Sequence, residues 1–481
     1  MKTSTTEKVV AGSSATDCRV CVRRRIRCDR TTPSCLKCMK RSIECPGYGR
    51  NLRWANAIAV RGRFKGLQYP KDASQDVVPA DGLSVPPKSS WIEAAANIAK
   101  IAAGAPSASE IEHLVSYYSR RIAGNMVWVD STLNPYRRLV VPKARSSPII
   151  LLAILAVSAE HMAPAQPSFV VFAPKARDVV VSRITQELSR ITERLGSEEP
   201  REIFDLETAE WILAAMLILS NYECIGDSST AWCSHRLGAR LLVNGFADSS
   251  AESSELFRFL RAQFSIHDVL ASTTTCFYLG TDGVMLPRQG DPEALLSEYM
   301  RLIHQVTLYI TDMHTVAHRV PTPAALRIEF ERTRGLTLMS AATSAALEDD
   351  STRINFIQLV DVHHIAALLY AYQCVYSFTS ADAEIFLTMK ELFEKLENCA
   401  RNDALIQHLT WPVFIAGTEC HGCEEKQCLV LKWYGNIIKK TGFRNYMVVT
   451  SFLEELWKNK LECWLEMAKA WERDGKPLLA V

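Results

Sequence analysis

Hydrophobic residues recur at helical spacing along most of the chain from residue 107 onward. The first such segment places five apolar side chains on one face: Ile111, Leu114, Val115, Tyr118 and Ile122. Spacings of three and four residues are typical of an amphipathic α-helix. Ser107 and Glu110 precede this face at the spacing of a capping box, in which each side chain accepts a hydrogen bond from the other's backbone. The pattern therefore predicts a helix that begins near residue 107.

The same pattern continues toward the C-terminus. A second apolar face is formed by Val180, Ile184, Leu188, Ile191 and Leu195, and Gly196 follows it as a helix stop. Further helical patterns cover 206–222, 230–245, 255–273, 294–313, 354–378, 382–400 and 447–472. The polar and apolar alternation that is typical of strands is nearly absent. We therefore predict a large all-α domain over residues 107–475.

The segments before residue 107 lack this periodicity. Residues 1–17 are rich in serine and threonine, and we predict that they are disordered. Residues 67–106 contain five prolines, which favour an extended backbone, so we predict a linker there, with a short helix near residues 91–103. Residues 18–46 form a separate cysteine-rich domain, and residues 47–66 are predicted to be a basic arm that follows it.

Six cysteines in this domain follow a repeated spacing. They are Cys18, Cys21, Cys28, Cys35, Cys38 and Cys45, and the second three repeat the intervals of the first three 17 residues further on. Two cysteines separated by two residues are typical of a zinc site, and zinc prefers four ligands in a tetrahedron. Six thiolates complete two tetrahedra only if one from each half bridges both ions. Because thiolates fill every coordination position, both ions are expected to be structural.

A single-zinc ribbon is the alternative arrangement for these cysteines. It would use Cys18, Cys21, Cys35 and Cys38 as its four ligands. Cys28 and Cys45 would then have no role, although they repeat the same offset. The spacing therefore favours two zinc ions.

The charge distribution points to a polyanion as the partner of the N-terminal segment. Residues 18–65 hold 14 lysines and arginines against only Asp29 and Glu44, a net charge of +12, whereas the whole chain carries +2. The rest of the chain is therefore acidic overall. A small basic segment joined to a mildly acidic domain is typical of nucleic-acid binding by the basic part.

Compartment and membrane association can also be judged from the sequence. The N-terminus has no apolar core of the kind found in secretory signals. The longest apolar run, over residues 148–159, is shorter than the roughly 20 residues that span a bilayer, so we expect no membrane partner. Nine further cysteines are scattered through apolar segments, which fits the reduced thiols of the cytosol or the nucleus.

The cysteine spacing resembles that of the fungal zinc binuclear cluster, the Zn₂Cys₆ transcription factors. A basic run that ends in RCD, and a proline two residues before the fourth cysteine, belong to the same pattern. The resemblance implies that Cys18 and Cys35 bridge the two zinc ions. It also implies a first helix, over residues 22–27, that enters the major groove of double-stranded DNA at a CGG triplet. Arginine matches the acceptor edge of guanine in that groove.

The resemblance implies Arg24 and Arg25 as the residues that contact bases. Two departures from the family pattern concern the same helix: Arg25 stands where lysine is usual, and Val22 where a basic residue is usual. The full set of expected DNA contacts is Arg23, Arg24, Arg25, Arg27, Lys37, Lys40, Arg41, Arg61 and Arg63. The same basic run is also an expected nuclear import signal, so we predict a nuclear protein; a solvated basic surface is the plainer alternative.

The helical domain resembles the fungal-specific transcription factor domain, in the subgroup that includes the acriflavine sensitivity control protein. The motifs that carry this resemblance are YYSRRI (117–122), NPYRRLVVP (134–142), GDSSTAW (226–232) and WPVFIAGTE (411–419). Many proteins with this cluster continue into a heptad coiled coil. No sustained heptad is present here. A homodimer through the helical domain is therefore the expectation, if the protein dimerises.

Two other groups of residues invite a metal site. The segment CHGC with Cys428 holds one histidine and three cysteines, but we expect it to continue the helix of WPVFIAG and to be packed rather than metal-bound. His363 and His364 lie in an apolar helix and are expected to be core or surface residues. No catalytic motif is recognisable, so we expect that the protein is not an enzyme.

These observations together predict a sequence-specific regulator of RNA polymerase II transcription. Its targets are expected to be a metabolic, drug-response or secondary-metabolite gene cluster. The alternative is a helical module that binds ligands or proteins, in which the zinc cluster is only structural.

Overall fold

The computed structural model describes residues 17–18, 20–21, 24–31, 34–41, 43, 45, 90–101, 106–195, 205–226, 231–245, 253–275, 283–288, 295–311, 321–342, 344, 347, 349–376, 382–459 and 463–481. The chain divides into two compact units, Met1–Val85 and Pro86–Val481, and each is described by itself. No β-strand occurs among these residues. The prediction of a small cysteine-rich domain followed by a large all-α domain is confirmed.

The first unit contains short helices around the cysteines. Val20 and Cys21 are helical, and helix α1 spans Leu36–Met39. Its apolar centre consists of cysteines and not of aliphatic side chains: Cys18, Cys21, Cys28, Cys35 and Cys38 are buried. Because the described residues of this unit bury few other side chains, its fold depends on its cysteines.

The second unit is built from helices joined by turns and irregular segments. The helices of its N-terminal half are α2 (Ser90–Ile101), α3 (Ala108–Tyr117), α4 (Val141–Lys143), α5 (Pro148–Met162), α6 (Phe172–Leu195), α7 (Leu206–Ile225) and α8 (Ala231–Gly245). Those of its C-terminal half are α9 (Glu255–Ser272), α10 (Ser297–Thr311), α11 (Pro323–Ala341), α12 (Asp350–Val375), α13 (Asp382–Cys399), α14 (Thr410–Gly417), α15 (Glu424–Thr441), α16 (Tyr446–Asn459) and α17 (Trp464–Arg473).

Helix α5 lies at the centre of the N-terminal half. Ser147 caps it, Pro148 occupies its first turn, and every residue from 150 to 159 is buried. A helix that is apolar on all sides must be covered on all sides. Helices α3, α6 and α7 provide that cover by packing against it.

Several predicted features of this unit are present. The capping box of α3 is formed, with Glu110 N 3.3 Å from Ser107 Oγ and Ser107 N 2.8 Å from Glu110 Oε2. The short helix expected near residues 91–103 is α2, and its Trp91 and Ile98 are buried in the hydrophobic core. The wider division into linker, arm and domains stays a prediction.

Two helix predictions are wrong. The pattern over 447–472 is not one helix but α16 and α17, because Cys463 adopts an extended backbone immediately before α17. The segment around Cys420 does not continue the WPVFIAG helix. Helix α14 ends at Gly417, and Gly422, with φ +68°, takes a left-handed conformation that a helix cannot contain.

Helix α12 is the one described helix that is long and apolar enough to cross a membrane. Of its most apolar window, 72% is buried inside the unit. Asp361, halfway along it, accepts hydrogen bonds from Arg334 at 2.6 Å and Lys395 at 3.0 Å. Burial among neighbouring helices and a charged network at its midpoint are typical of a core helix, not of a membrane span.

Candidate metal centre and nucleic-acid interface

The six predicted cysteine ligands form two groups of four sulfurs. One group is Cys18, Cys21, Cys28 and Cys35, and the other is Cys18, Cys35, Cys38 and Cys45. Within each group every sulfur lies within 4.8 Å of the others. Cys18 and Cys35 belong to both groups. The structure thus brings together all six residues that the spacing singled out.

The distances between these sulfurs fit zinc. Cys18 Sγ lies 3.6 Å from Cys35 Sγ and 3.8 Å from Cys38 Sγ, and Cys21 Sγ lies 3.7 Å from Cys35 Sγ. Four sulfurs at the usual Zn–S distance of about 2.3 Å form a tetrahedron with edges of about 3.8 Å. A single-zinc ribbon needs only one group of four sulfurs and does not account for the second group. The donor set therefore suits two zinc ions.

The two halves of the cluster repeat the same hydrogen bonds. Cys21 N donates to Cys18 Sγ at 3.5 Å, and 17 residues further on Cys38 N donates to Cys35 Sγ at 3.3 Å. Backbone donors of this kind stabilise thiolates, which are the form that binds metal. Each of the two shared sulfurs thus has its own backbone donor.

The helix ends of the two halves also correspond. Ile26 N donates to Cys21 O at 3.0 Å, and Ile43 N donates to Cys38 O at 3.1 Å. A hydrogen bond across six residues of this kind closes a Schellman motif, whose penultimate residue is left-handed. In the first half that residue is Arg25, with φ +53°.

The expected helix over residues 22–27 is therefore wrong in its second half. Val20 and Cys21 are already helical, Arg24 and Arg25 lie in a turn, and residues 26–30 have no regular structure. Val22 and Arg23 lie outside the described residues. The zinc ligand Cys28 provides the physical reason, since the chain must turn back after one helical turn to bring this sulfur beside Cys18.

Asp29 holds the second half of the cluster in place, a role that sequence reasoning missed. Its Oδ1 accepts from Leu36 N and its Oδ2 from Lys37 N, both at 2.9 Å, and Thr31 Oγ1 donates to Oδ1 at 2.6 Å. The hydrogen bond from Thr31, together with these backbone donors, holds the pKa of Asp29 well below its usual range. The carboxylate thus caps α1 from the other half of the cluster.

A second missed contact joins the residue before the cluster to its middle. Arg30 Nε lies 2.6 Å from Asp17 Oδ1, and this hydrogen bond lowers the pKa of Asp17. Arg30 also has φ +60°. The acid of the RCD motif is a sequence signal for the contacts of Asp29, but the motif gives none for the pairing of Arg30 with Asp17.

The thiols differ in how readily they lose their protons. Burial raises the pKa of Cys21, and it raises that of Cys38 to about 12. Burial acts in the same direction on Cys28, but hydrogen bonds from the backbone of Cys18 and Arg30 outweigh it and lower the pKa of this thiol to about 7. Cys28 therefore forms the metal-binding thiolate more readily, whereas Cys21 and Cys38 must release protons when metal binds.

The predicted DNA-contacting residues fall into three groups. Five side chains are exposed on the cluster: Arg25, Arg27, Lys37, Lys40 and Arg41. Arg24 is half-buried, and its Nη1 is enclosed without a hydrogen-bond partner among the described residues. Arg23, Arg61 and Arg63 lie outside the described residues. Lys37 Nζ also donates to Arg27 O at 2.6 Å, which joins the two halves on this surface.

The other candidate ligands are used differently. Cys420 is buried and its Sγ lies 3.3 Å from Ala416 O. In the described part of the chain, only the N-terminal cysteines bring three or more possible ligand atoms within 4.8 Å. His364 bonds Tyr299 at 3.0 Å and Glu331 at 3.2 Å, and His363 Nδ1 bonds Leu359 O at 3.0 Å.

Comparison with known families agrees with this fold and site. The fungal specific transcription factor domain matches residues 113–473, and the fungal Zn(2)-Cys(6) binuclear cluster domain matches residues 16–55. The first match covers most of the chain, so the protein belongs to this family of fungal DNA-binding transcription factors. Its cofactor is a pair of structural zinc ions.

One curated relative is similar over a short segment. The acriflavine sensitivity control protein acr-2 of Neurospora crassa is 55% identical over 38 residues, which is 8% of this chain and 6% of that protein. No solved structure was found to match the chain. The chain thus shares only a small part of the length of this relative, and the similarity is confined to a segment of the cluster's size.

Proposed function

We propose that the protein is a nuclear, sequence-specific regulator of RNA polymerase II transcription that contacts a CGG-like element through its cluster. The observation that carries the proposal is the pair of four-sulfur groups that share Cys18 and Cys35, surrounded by exposed basic side chains. Six thiolates with two Zn²⁺ carry a formal charge of −2. The surrounding arginines and lysines outnumber this charge and leave a positive surface for phosphates.

Within the cluster, Cys18 and Cys35 are the proposed bridging ligands, and Cys21, Cys28, Cys38 and Cys45 are the proposed terminal ligands. Each terminal cysteine belongs to one four-sulfur group only, and each bridging cysteine belongs to both. With all positions filled by sulfur, the ions hold the fold and leave no site for a catalytic water.

Arg25 is the proposed base contact that the geometry supports best. Its side chain is exposed, and the left-handed backbone places it at the end of the first helical turn. Arg24 is the second proposed base contact. The remaining basic residues, Arg23, Arg27, Lys37, Lys40, Arg41, Arg61 and Arg63, are proposed to contact phosphates, which position the protein without selecting a sequence.

A gel-shift experiment with the zinc-loaded full chain tests the proposal. The probes are a duplex with one CGG triplet and a duplex in which that triplet is scrambled, each measured with and without prior chelation. We expect zinc-dependent binding that prefers CGG and weakens steeply as salt rises, because phosphate contacts release counterions. Equal binding of both probes would contradict sequence-specific recognition, and the absence of zinc-dependent binding to either probe would leave the cluster as a structural element only, which is the alternative function.

Nuclear localisation and dimerisation are part of the same proposal. The family is one of nuclear transcription factors, and the basic run from Arg23 to Arg27 is a suitable import signal. The helical domain is the proposed dimer interface, since the sequence offers no heptad repeat. The proposed targets are a metabolic, drug-response or secondary-metabolite gene cluster.

A further inference from the structure

The helical unit contains a cavity of about 130 Å³ that the DNA-binding function does not use. Helices α7, α8, α9, α12 and α14, residues 125–128 and the segment before α14 contribute to its wall, with Leu217, Leu270, His363, Gln407 and Trp411 among the lining residues. An engineered apolar cavity of about 150 Å³ holds one benzene molecule. The space therefore matches a single aromatic ring.

Aromatic side chains surround one side of this cavity. The His363 ring meets Trp128 edge to face at a centroid distance of 5.0 Å and stacks on Trp411 at 6.4 Å and 16°. Trp128 also lies 5.6 Å from the His408 ring. Planar walls at these separations favour a planar aromatic occupant, because edge-to-face and offset contacts add to the energy of burial.

One hydrogen-bond acceptor in the cavity wall is buried without a partner among the described residues, and a histidine nitrogen of the wall is a second acceptor. Gln407 Oε1 is buried and has no hydrogen bond in the described part of the chain, while its Nε2 lies 3.1 Å from His408 Nε2. His363 Nδ1 donates to Leu359 O at 3.0 Å, so the Nε2 of the neutral ring is an acceptor. A buried polar atom without a partner costs about 1–3 kcal/mol. A donor on a bound molecule would remove that cost.

Two histidines of the wall, His363 and His408, are neutral at physiological pH. Burial lowers the pKa of His363 to about 4. Burial, together with repulsion from His363, lowers the pKa of His408 to about 3. Both rings therefore provide uncharged hydrogen-bonding groups and offer no attraction to an anion.

The arginine in the wall is also unavailable to an anion. Arg236 donates to Asp268 Oδ1 at 3.0 Å, to Thr275 Oγ1 at 2.9 Å and to Ser272 Oγ at 3.1 Å. Asp268 is fully buried and also accepts from Arg240 at 2.9 Å. A carboxylate that entered the cavity would lose its hydration without gaining Arg236 as a partner, so the wall disfavours an anionic ligand.

We propose that this cavity binds a small neutral aromatic molecule, about one ring in size, that carries a hydrogen-bond donor such as a phenolic hydroxyl. The ring lies against Trp128, His363 and Trp411, and the hydroxyl donates to Gln407 Oε1. The helical unit is then a receptor for such a molecule. This site does not depend on DNA binding by the cluster.

Calorimetric titration of the zinc-loaded full chain with phenol, toluene and benzoate tests the proposal. We expect saturable one-to-one binding of phenol, weaker binding of toluene and no binding of benzoate. Gln407→Leu removes the unpaired acceptor. It should lower the affinity for phenol about three- to tenfold and leave the affinity for toluene unchanged. Gln427→Leu is the matched control, since Gln427 is also half-buried, donates to Cys420 O at 2.8 Å and lies outside the cavity wall. It should keep the phenol affinity.

Thermal unfolding confirms that each variant is folded before titration. A cavity that holds only water would give no saturable heat with phenol, and the proposal would then be wrong. It would also be wrong if benzoate bound as tightly as phenol, or if Gln407→Leu and Gln427→Leu changed the affinity for phenol equally. Gel shifts on the same samples report the cluster separately, so failure of one proposal leaves the other to be judged alone.

Discussion

Cys18 and Cys35 are equivalent residues of the two halves of the cluster, and their sulfurs lie 3.6 Å apart. Each receives a hydrogen bond from the backbone N–H of the residue three positions later. Each also belongs to both four-sulfur groups. Because these two sulfurs have the same surroundings, substitution of either should have the same consequence, and substitution of a terminal cysteine should have a smaller one.

The first prediction concerns zinc content. Cys18→Ala removes a sulfur from both groups, so the purified chain should lose both ions. Cys45→Ala removes a sulfur from one group only and should leave one ion bound. Metal analysis by mass spectrometry gives the zinc-to-protein ratio, with Cys428→Ala, an exposed cysteine of the helical unit, as a control that should keep two ions. Equal zinc loss in Cys18→Ala and Cys45→Ala would contradict shared ligation.

The second prediction concerns pH. Burial raises the pKa of Cys38 to about 12, so this thiol is protonated in the metal-free cluster at neutral pH and must lose its proton to bind zinc. Apparent zinc affinity should therefore rise from pH 6 to pH 8, by up to about tenfold per pH unit for each proton released. Competition with a chelator whose zinc affinity is known at each pH measures the apparent zinc affinity of the cluster. A zinc affinity that does not change with pH would contradict the proton release.

The third prediction separates base contacts from phosphate contacts. Arg25→Ala should reduce the preference for CGG over a scrambled triplet, at a cost of about 1–3 kcal/mol on the CGG duplex. Lys40→Ala removes another exposed charge of the cluster and should lower the affinity for both duplexes by the same factor. Gel-shift titrations of the unsubstituted chain and the two variants, each with both duplexes, give the six affinities from which the preferences are calculated. If Lys40→Ala lowered the preference as much as Arg25→Ala, the assignment of roles would be wrong.

The fourth prediction compares two glycines with the same backbone conformation. Gly442 has φ +74° and Gly475 has φ +75°. A Cβ at Gly442 would lie 2.5 Å from His161 Nε2, whereas a Cβ at Gly475 meets nothing within 4 Å. Gly475→Ala should cost about 1–2 kcal/mol for the left-handed backbone alone. Gly442→Ala should cost roughly 1–3 kcal/mol more, because it also displaces the His161 ring from its 2.9 Å hydrogen bond to Thr441 O.

Denaturant unfolding of the two glycine variants gives these free energies. Equal destabilisation would show that the His161 ring moves aside freely and that its hydrogen bonds to Tyr117 and Thr441 contribute little to the fold.

The fifth prediction concerns the buried carboxylate between two arginines. Asp268 is fully buried against Arg236 and Arg240, so Asp268→Asn removes a buried charge that both arginines share and should cost about 3–5 kcal/mol. Asp361 also pairs with two cations, Arg334 and Lys395, but it is only partly buried. Asp361→Asn should therefore cost much less, about 1 kcal/mol. Unfolding midpoints that shift equally in the two variants would contradict this dependence on burial.

The cluster could be predicted from the sequence because its ligands are close in the chain and zinc imposes their spacing. All six cysteines lie where the repeat of 17 residues requires them. The helices of the larger unit were likewise predictable from their apolar spacing, but their ends were not. Cys463 and Gly422 break predicted helices through backbone conformations that hydrophobic periodicity does not report.

Contacts between distant segments could not be predicted from the sequence. Asp29 binds the backbone of Leu36 and Lys37 only because the cluster folds the chain back on itself. The left-handed Arg25 follows from the same fold. The cavity combines residues from α7, α9, α12 and α14, and each of them is an ordinary core residue when its own helix is considered alone. Packing, and not local pattern, creates such a site.

The sharing of two sulfurs between the four-sulfur groups also affects how the protein responds to zinc supply. Each four-sulfur group can hold one ion by itself, but the cluster is fully loaded only when two ions are bound. Where zinc is limiting, the fraction of loaded protein then follows roughly the second power of the free zinc concentration, and not the first. A twofold fall in free zinc would therefore reduce the DNA-binding form about fourfold in that range, which makes the cluster a threshold device for metal availability.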